Sequence, residues 1–253
     1  MIFTMSTSRN MFCLLFLLIF AASAPLMAQD NISPDRPGIG DGSYIVEPKV
    51  TYLEIGVEYF TVNDLNQYSL GQLVFRNGLL SGVELRMLLN SFVVQSFPST
   101  DFTGVPDPGV GLKFKLFDRP GSNLRLSGLT TLSIPVGSTD FTTDEWIPSA
   151  ALLADYSLTD YAGISANLGY TFDVGPFPDV WKVTLTPGYA LPGDSNIGIY
   201  GGYAGFYSEG VNEHYIEAGF TKHVKSFLQL DLNAGLDVES QGTFIGGGLA
   251  LQL

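Results

Sequence analysis

Segments of period-two alternation, a composition rich in glycine and aromatic residues but poor in charge, and connections that alternate between short and long predict an all-β chain, a transmembrane antiparallel up-and-down β-barrel of about twelve strands. The clearest alternation runs from Val110 to Val136. Val110, Leu112, Phe114 and Leu116 interleave with Gly111, Lys113 and Lys115, so one face of this strand is apolar and the other charged. Asp118, Arg119, Pro120, Gly121 and Ser122 then supply turn chemistry, and Leu124, Leu126, Leu132 and Ile134 resume opposite Arg125, Ser127 and Ser133. The chain holds 29 Gly, 18 Phe and 12 Tyr with only 15% charged residues, against about 25% in ordinary soluble domains. A sheet with one face in lipid accounts for that balance.

Residues 1–28 read as a signal peptide: Arg9, an apolar run from Met11 to Ala22, then small residues with a cut after Ala28. The run is shorter than the roughly 20 residues of a spanning helix. Cleavage removes Cys13, the one cysteine, and with it any disulfide, thiolate metal site or cysteine nucleophile. Residues 29–47 form a periplasmic lead-in or plug, because SPDRPGIGDGSYIV is too rich in glycine and proline for a regular element. Residues 48–253 form the barrel.

In the first strand Leu53, Ile55, Val57 and Tyr59 oppose Glu54, Gly56 and Glu58. A second runs from Tyr68 to Phe75 with no definite phase. Asn77 and Gly78 then read as a hairpin turn, and Val83, Leu85 and Met87 oppose Glu84 and Arg86. Beyond the hairpin at 110–136, further segments occupy 150–156, 164–172, 181–189, 197–207, 216–220, 228–236 and 245–253. Pro148 and Pro187 fall inside strands and are placed at a rim or a bulge. Connections at 77–78, 118–122, 159–160, 192–196 and 222–225 are short. Those at 61–66, 91–107, 135–145, 173–179, 208–213 and 237–241 are mostly longer. That asymmetry predicts both chain ends on the short-turn, periplasmic side.

A net charge of −13 argues against nucleic acid as a partner. His214 lies near Glu213 and Glu217 but lacks a third ligand at suitable spacing, and Gly246, Gly247 and Gly248 precede no helix, so no metal, cofactor or catalytic centre is expected. The informative set is inward: Glu54, Glu58, Glu84, Arg86, Lys113, Lys115, Arg125, Lys182 and Asp231 share the parity opposite to the apolar face and are the lumen-facing candidates. They support two readings, a polar path for solutes or a salt-bridge network that fills the barrel and conducts nothing. Closure would set a basic wall (Arg86, Lys113, Lys115, Arg125) across from an acidic one (Glu54, Glu58, Asp231). Trp146, Tyr156, Tyr161, Phe172, Trp181, Tyr189 and Phe220 fall near strand ends, as interfacial girdles do. Acids such as Asp107, Asp140, Asp173 and Asp237 gather in the connections, either as a solvated face or as bridges through divalent cations to lipid headgroups.

The lead-in SPDRPGIGDGSYIVEPKVTYLEIGVEY, the strand DPGVGLKFKLF and the segment LSIPVG together resemble the bacterial outer-membrane barrels grouped as transporters of the phenol meta-degradation pathway. Ser33, Asp35, Arg36, Pro37, Gly42, Glu54 and Gly56 carry the match, which extends from Ser33 to Leu253. The resemblance implies an outer-membrane barrel that moves small molecules, without naming one. The chain departs from many such barrels in ending on Leu253 rather than an aromatic residue. The expected function is an outer-membrane channel or transporter for small solutes, apolar and aromatic ones included. The alternatives are a non-transporting structural barrel and, behind it, an outer-membrane enzyme. Outer-membrane lipid and a small solute are the expected partners, with solute and oligomeric state left open.

Overall fold

The computed structural model describes residues 31–193 and 196–253, so the expected signal peptide lies outside the described residues. Among them the strands are β1 (Thr51–Val62), β2 (Leu65–Leu80), β3 (Val83–Leu88), β4 (Phe92–Phe97), β5 (Thr100–Gly104), β6 (Gly109–Asp118), β7 (Leu124–Ser133), β8 (Ile147–Ser157), β9 (Ala162–Thr171), β10 (Val180–Ala190), β11 (Ile197–Ser208), β12 (Val211–Lys225), β13 (Leu228–Asp237) and β14 (Thr243–Gln252). Each pairs antiparallel with its neighbours, and β1 pairs with both β2 and β14, which closes the sheet. β3 and β4 follow one another along β2, and β5 and β6 lie beside them in the same way. These two broken strands count once each, so the barrel has twelve staves.

Burial is inverted relative to a soluble protein. On β13 Leu232 is 50% exposed while Asp231 beside it is 3% exposed. The outward face is therefore the lipid face and the inward face is polar. The buried apolar cluster Ile32, Val46, Tyr52 and Ala250 lies where the lead-in joins the wall. Cross-strand register shows the tilt that closure demands. One row passes from Glu58 in mid-β1 through Gly246, Asn233, Gly219, Tyr200 and Gly188 to Gly163, the second residue of β9.

Several local expectations give way. Asn77 and Gly78 lie inside β2, and the chain reverses instead at Ser81 and Gly82, where Gly82 has φ +80°. Gly78 is needed for close approach: its N–H bonds Val50 O, its carbonyl accepts from Lys49 N–H, and a Cβ there would collide with the Glu47 backbone. The connection expected at 91–107 is largely the hairpin of β4 and β5, turning at Pro98 and Ser99. The asymmetry of connections holds only in part, since β1–β2 and β11–β12 are joined by two residues each, Asn63 and Asp64, and Glu209 and Gly210. Alternation ends before a strand's hydrogen bonds do, so pattern alone made those connections too long. Residues 134–146 and 172–179 are the long ones. Pro148 sits one residue into β8, at the rim. Pro187 lies where the β10–β11 ladder steps from Leu185↔Tyr203 to Gly188↔Tyr200 without changing register, so it interrupts pairing but makes no bulge.

Candidate functional site

Four neighbouring staves present charge to the interior. Glu54 projects from β1, Arg76 from β2, Glu84 and Arg86 from β3, and Lys113 from β6, and all five are buried. Arg76 ties them together, donating from Nε to Glu84 at 2.7 Å and from Nη1 to Glu54 at 2.9 Å. Charges so far from bulk water persist only when each has both an ionic partner and hydrogen bonds.

The lead-in completes those shells. It enters at Ile32, whose N–H bonds Ser226 O and whose carbonyl meets the His223 ring. The Asp35 carboxylate takes Lys113 Nζ at 2.9 Å and Arg86 Nη1, and lies 3.4 Å from Arg76 Nη1. The N–H groups of Asp35 and Arg36 donate to the two Glu54 oxygens. Arg36 reaches the other way to Asp231 at 3.1 Å and to Gln72. Its guanidinium lies flat over Gly56 and Gly248, where a Cβ would strike it.

From Pro37 to Asp41 the chain crosses the lumen. Asn233 Nδ2 donates to Pro37 O, Ile39 N–H to Glu217 at 2.9 Å, Lys182 Nζ to Ile39 O at 2.7 Å, and Asp41 N–H to Asn167 at 2.7 Å. Arg86, from the opposite wall, holds Asp41 at 3.0 Å. The chain then turns back. Gly42 N–H bonds Asp35, Ser43 bonds Asp155 through both N–H and hydroxyl, and Val46 N–H bonds Glu84 at 2.9 Å just before β1. Residues 35–42 thus form a loop closed on itself and pinned to opposite sides of the barrel.

Beside this loop, against β8 to β12, a cavity of about 510 Å³ remains. Asp155, Ser165, Thr186, Gly188, Tyr200 and Thr221 line it from the wall.

The candidates named from parity fall into three groups. Glu54, Glu84, Arg86, Lys113 and Asp231 lie in the ion-pair network, and Lys182 holds the tip of the lead-in. Lys115 and Arg125 sit at the turn-side mouth, about two-fifths exposed, 3.9 and 3.6 Å from Asp118. Glu58 stands two residues beyond Gly56 toward the other end and has no hydrogen bond or ion pair among the described residues. Basic and acidic walls do not oppose one another across a gap. Glu54 is beside Arg76, and Asp35 stands between three cations.

The lumen-facing candidates left out Arg76, Asp41, Asp155 and Glu217, and Asp35 was singled out only by the family resemblance. Arg76 was out of reach because β2 had no phase. Gly71, with φ +78°, sits at the register shift in the β1–β2 pair and is the signal that would have fixed it.

At the loop-side rim Asp107 clamps the long β7–β8 connection, accepting from Gly137 N–H at 2.8 Å and from the N–H and hydroxyl of Thr143 at 2.8 and 3.0 Å. Burial alone would raise this carboxyl, but the Thr143 and Gly137 donors outweigh it and hold the pKa below its ordinary 3.8. Asp237 likewise caps its own turn through Ser240 and Glu239 N–H. These two loop acids are structural caps, not part of a solvated face. His214 lies in β12, not in a wet loop, with its Nδ1 2.8 Å from the Tyr203 hydroxyl.

A sequence model of the family described as "Putative MetA-pathway of phenol degradation" matches residues 34–253. Among solved structures, an outer membrane channel from Pseudomonas putida F1 is similar with TM-score 0.66 at 14% identity, over 85% of this chain and 100% of that one. The NanC porin is similar with TM-score 0.59 at 7% identity over 79% and 100%. The KdgM porin, in complex with disordered oligogalacturonate, reaches 0.53 at 11% over 78% and 98%. At such identities the likeness shows the fold. No curated protein sequence matches the chain.

Proposed function

We propose, from the premise that the chain belongs to the family described as "Putative MetA-pathway of phenol degradation", that it is an outer-membrane channel for small solutes. The observation that carries this reading is the cavity of about 510 Å³ left beside the lead-in. A barrel sealed for strength alone would have no reason to gather loop 35–42 by buried charges and leave a cavity between it and the part of the β8–β12 wall that carries Thr186, Gly188 and Tyr200. The lead-in acts as a fixed constriction, and the solute passes between it and Thr186, Gly188 and Tyr200. Hydroxyls, a carboxylate and aromatic rings on one surface suit small molecules with both a polar and an apolar side. Residues 1–28 direct export and are removed, and the mature chain resides in the outer membrane.

The test is conductance of the purified protein in planar bilayers. Gly188→Trp, which fills the cavity from the wall, should cut single-channel conductance several-fold, while Gly188→Ala should leave it near wild type. Equal conductance in all three would place the path elsewhere. No conductance and no solute uptake by wild type would favour the structural barrel.

A further inference from the structure

On the loop side of the lead-in the wall from β11 to β1 carries one buried acceptor without a donor, Asn233 Oδ1, and beside it a partly buried carboxylate, Glu58, without a hydrogen bond among the described residues. The cross-strand neighbour of Glu58 on β14 is Gly246, whose own neighbour on β13 is Asn233. Asn233 is 7% exposed, its Nδ2 is committed to Pro37 O, and its Oδ1 has no donor. That oxygen lies directly over Gly246, 2.6 Å from where a Cβ would be, and so toward the strand of Glu58. Glu217, on β12, accepts from Ile39 N–H and from Tyr200 OH at 3.3 Å.

The cations nearby do not balance these groups. Arg36 is bound to Asp231, and Lys182 donates to a lead-in carbonyl. Glu58, Glu217 and Asp231 therefore face two cations, and one carboxylate charge is left over. A buried acceptor without a donor is uncommon because it loses its water without replacement, and Asn233 Oδ1 is such an acceptor, while Glu58 is partly exposed. A partner that suited both would carry positive charge and donate hydrogen bonds.

Aromatic rings stand one to two rows further toward the loops. Phe60 pairs with Phe244 across the β1–β14 seam, the Phe244 ring is 6.4 Å from Tyr215, and Tyr215 meets Phe206 edge to face at 5.9 Å. Lys182 Nζ already lies 5.9 Å over the Phe206 ring, which leaves Phe60, Phe244 and Tyr215. Carboxylate and amide oxygens beneath such rings suit an organic ammonium ion, whose charge the oxygens hold and whose apolar body lies against the rings.

We infer that Glu58, Asn233 Oδ1 and Glu217 form a binding subsite for organic ammonium ions on the loop side of the lead-in, and that the channel admits cations in preference to anions. The inference deepens the channel reading and rests on it for the second half alone, so the two halves are tested apart. Calorimetric titration of detergent-purified protein with phenethylammonium should show binding that Glu58→Gln weakens at least tenfold and that Glu209→Gln, at the exposed β11–β12 tip, leaves unchanged. Absence of binding, or equal binding by all three, overturns the subsite whether or not the protein conducts. In bilayers under a potassium chloride gradient, the reversal potential should report cation preference, and phenethylammonium added from the loop side should reduce the current. Both effects should fall several-fold in Glu58→Gln. A conducting protein that prefers chloride, or whose selectivity Glu58→Gln does not alter, overturns the selectivity while the channel stands.

Discussion

Asp35 and Glu58 are carboxylates of one lumen, yet they sit in opposite circumstances. Asp35 is reached by Arg76, Arg86 and Lys113 and by the N–H of Gly42. Glu58 has no hydrogen bond or ion pair among the described residues. The first region is a closed account of charge in which every group has its counterpart inside the molecule. The second leaves charge available to whatever enters. Interior charge in a barrel can therefore hold the fold or address a solute, and the hydrogen-bond list, not burial, tells which.

That contrast can be broken most severely at Arg76. Arg76→Met should leave Glu54, Glu84 and Asp35 short of a cation and cost about 3–5 kcal/mol. The expected readout is loss of the folded band in unheated detergent gels, or a matching fall in the guanidinium midpoint. Adding Glu84→Gln should restore part of the loss, and a strictly additive double variant would mean that the pair is not coupled.

A smaller effect is expected at the rim, where Asp107 is satisfied by neutral donors. Asp107→Asn should loosen the β7–β8 connection by about 1–3 kcal/mol of local stability, seen as faster hydrogen exchange at Gly137 and Thr143. The pH dependence has a definite sign. The folded carboxyl titrates below its ordinary 3.8, so its contribution is present above that value and is lost as pH falls through the folded pKa. Protection of those two amides, measured against their intrinsic exchange rates, should fall below about pH 4 in wild type, and lack of any such acid response would remove the clamp.

The smallest effect on stability belongs to Glu58→Gln. It breaks no bond within the chain, so the unfolding midpoint should move by less than about 0.5 kcal/mol even as selectivity changes. A loss comparable to that of Arg76→Met would erase the distinction between the two regions.

The barrel and its twelve staves were legible because parity and turn chemistry are local: Leu228 to Leu236 alternates whatever the rest of the chain does. The turn at Ser81 and Gly82 was not, because Asn77 and Gly78 carry a stronger local signal that the lead-in overrides by packing its backbone on Gly78. The candidate site was legible only as a set of inward-parity charges. Which of them pair depends on residues 32–46, and those contacts join positions as far apart as Pro37 and Asn233. No periodicity encodes a partner at that distance.

The lead-in's place inside the wall also has a temporal meaning. Residues 35–42 touch both sides of the β1–β14 seam, Glu54 on β1, Gly248 on β14 and Asp231 on the adjoining β13, so they cannot be threaded in after the seam has zipped without first breaking charges apart in a space already narrowed. Residues 35–42 must lie at the unfinished seam and be folded around, which makes the lead-in a mandrel for the barrel. A chain whose residues before Glu47 are moved to the C-terminus should then assemble slowly in refolding time courses, even where the finished product holds the same contacts.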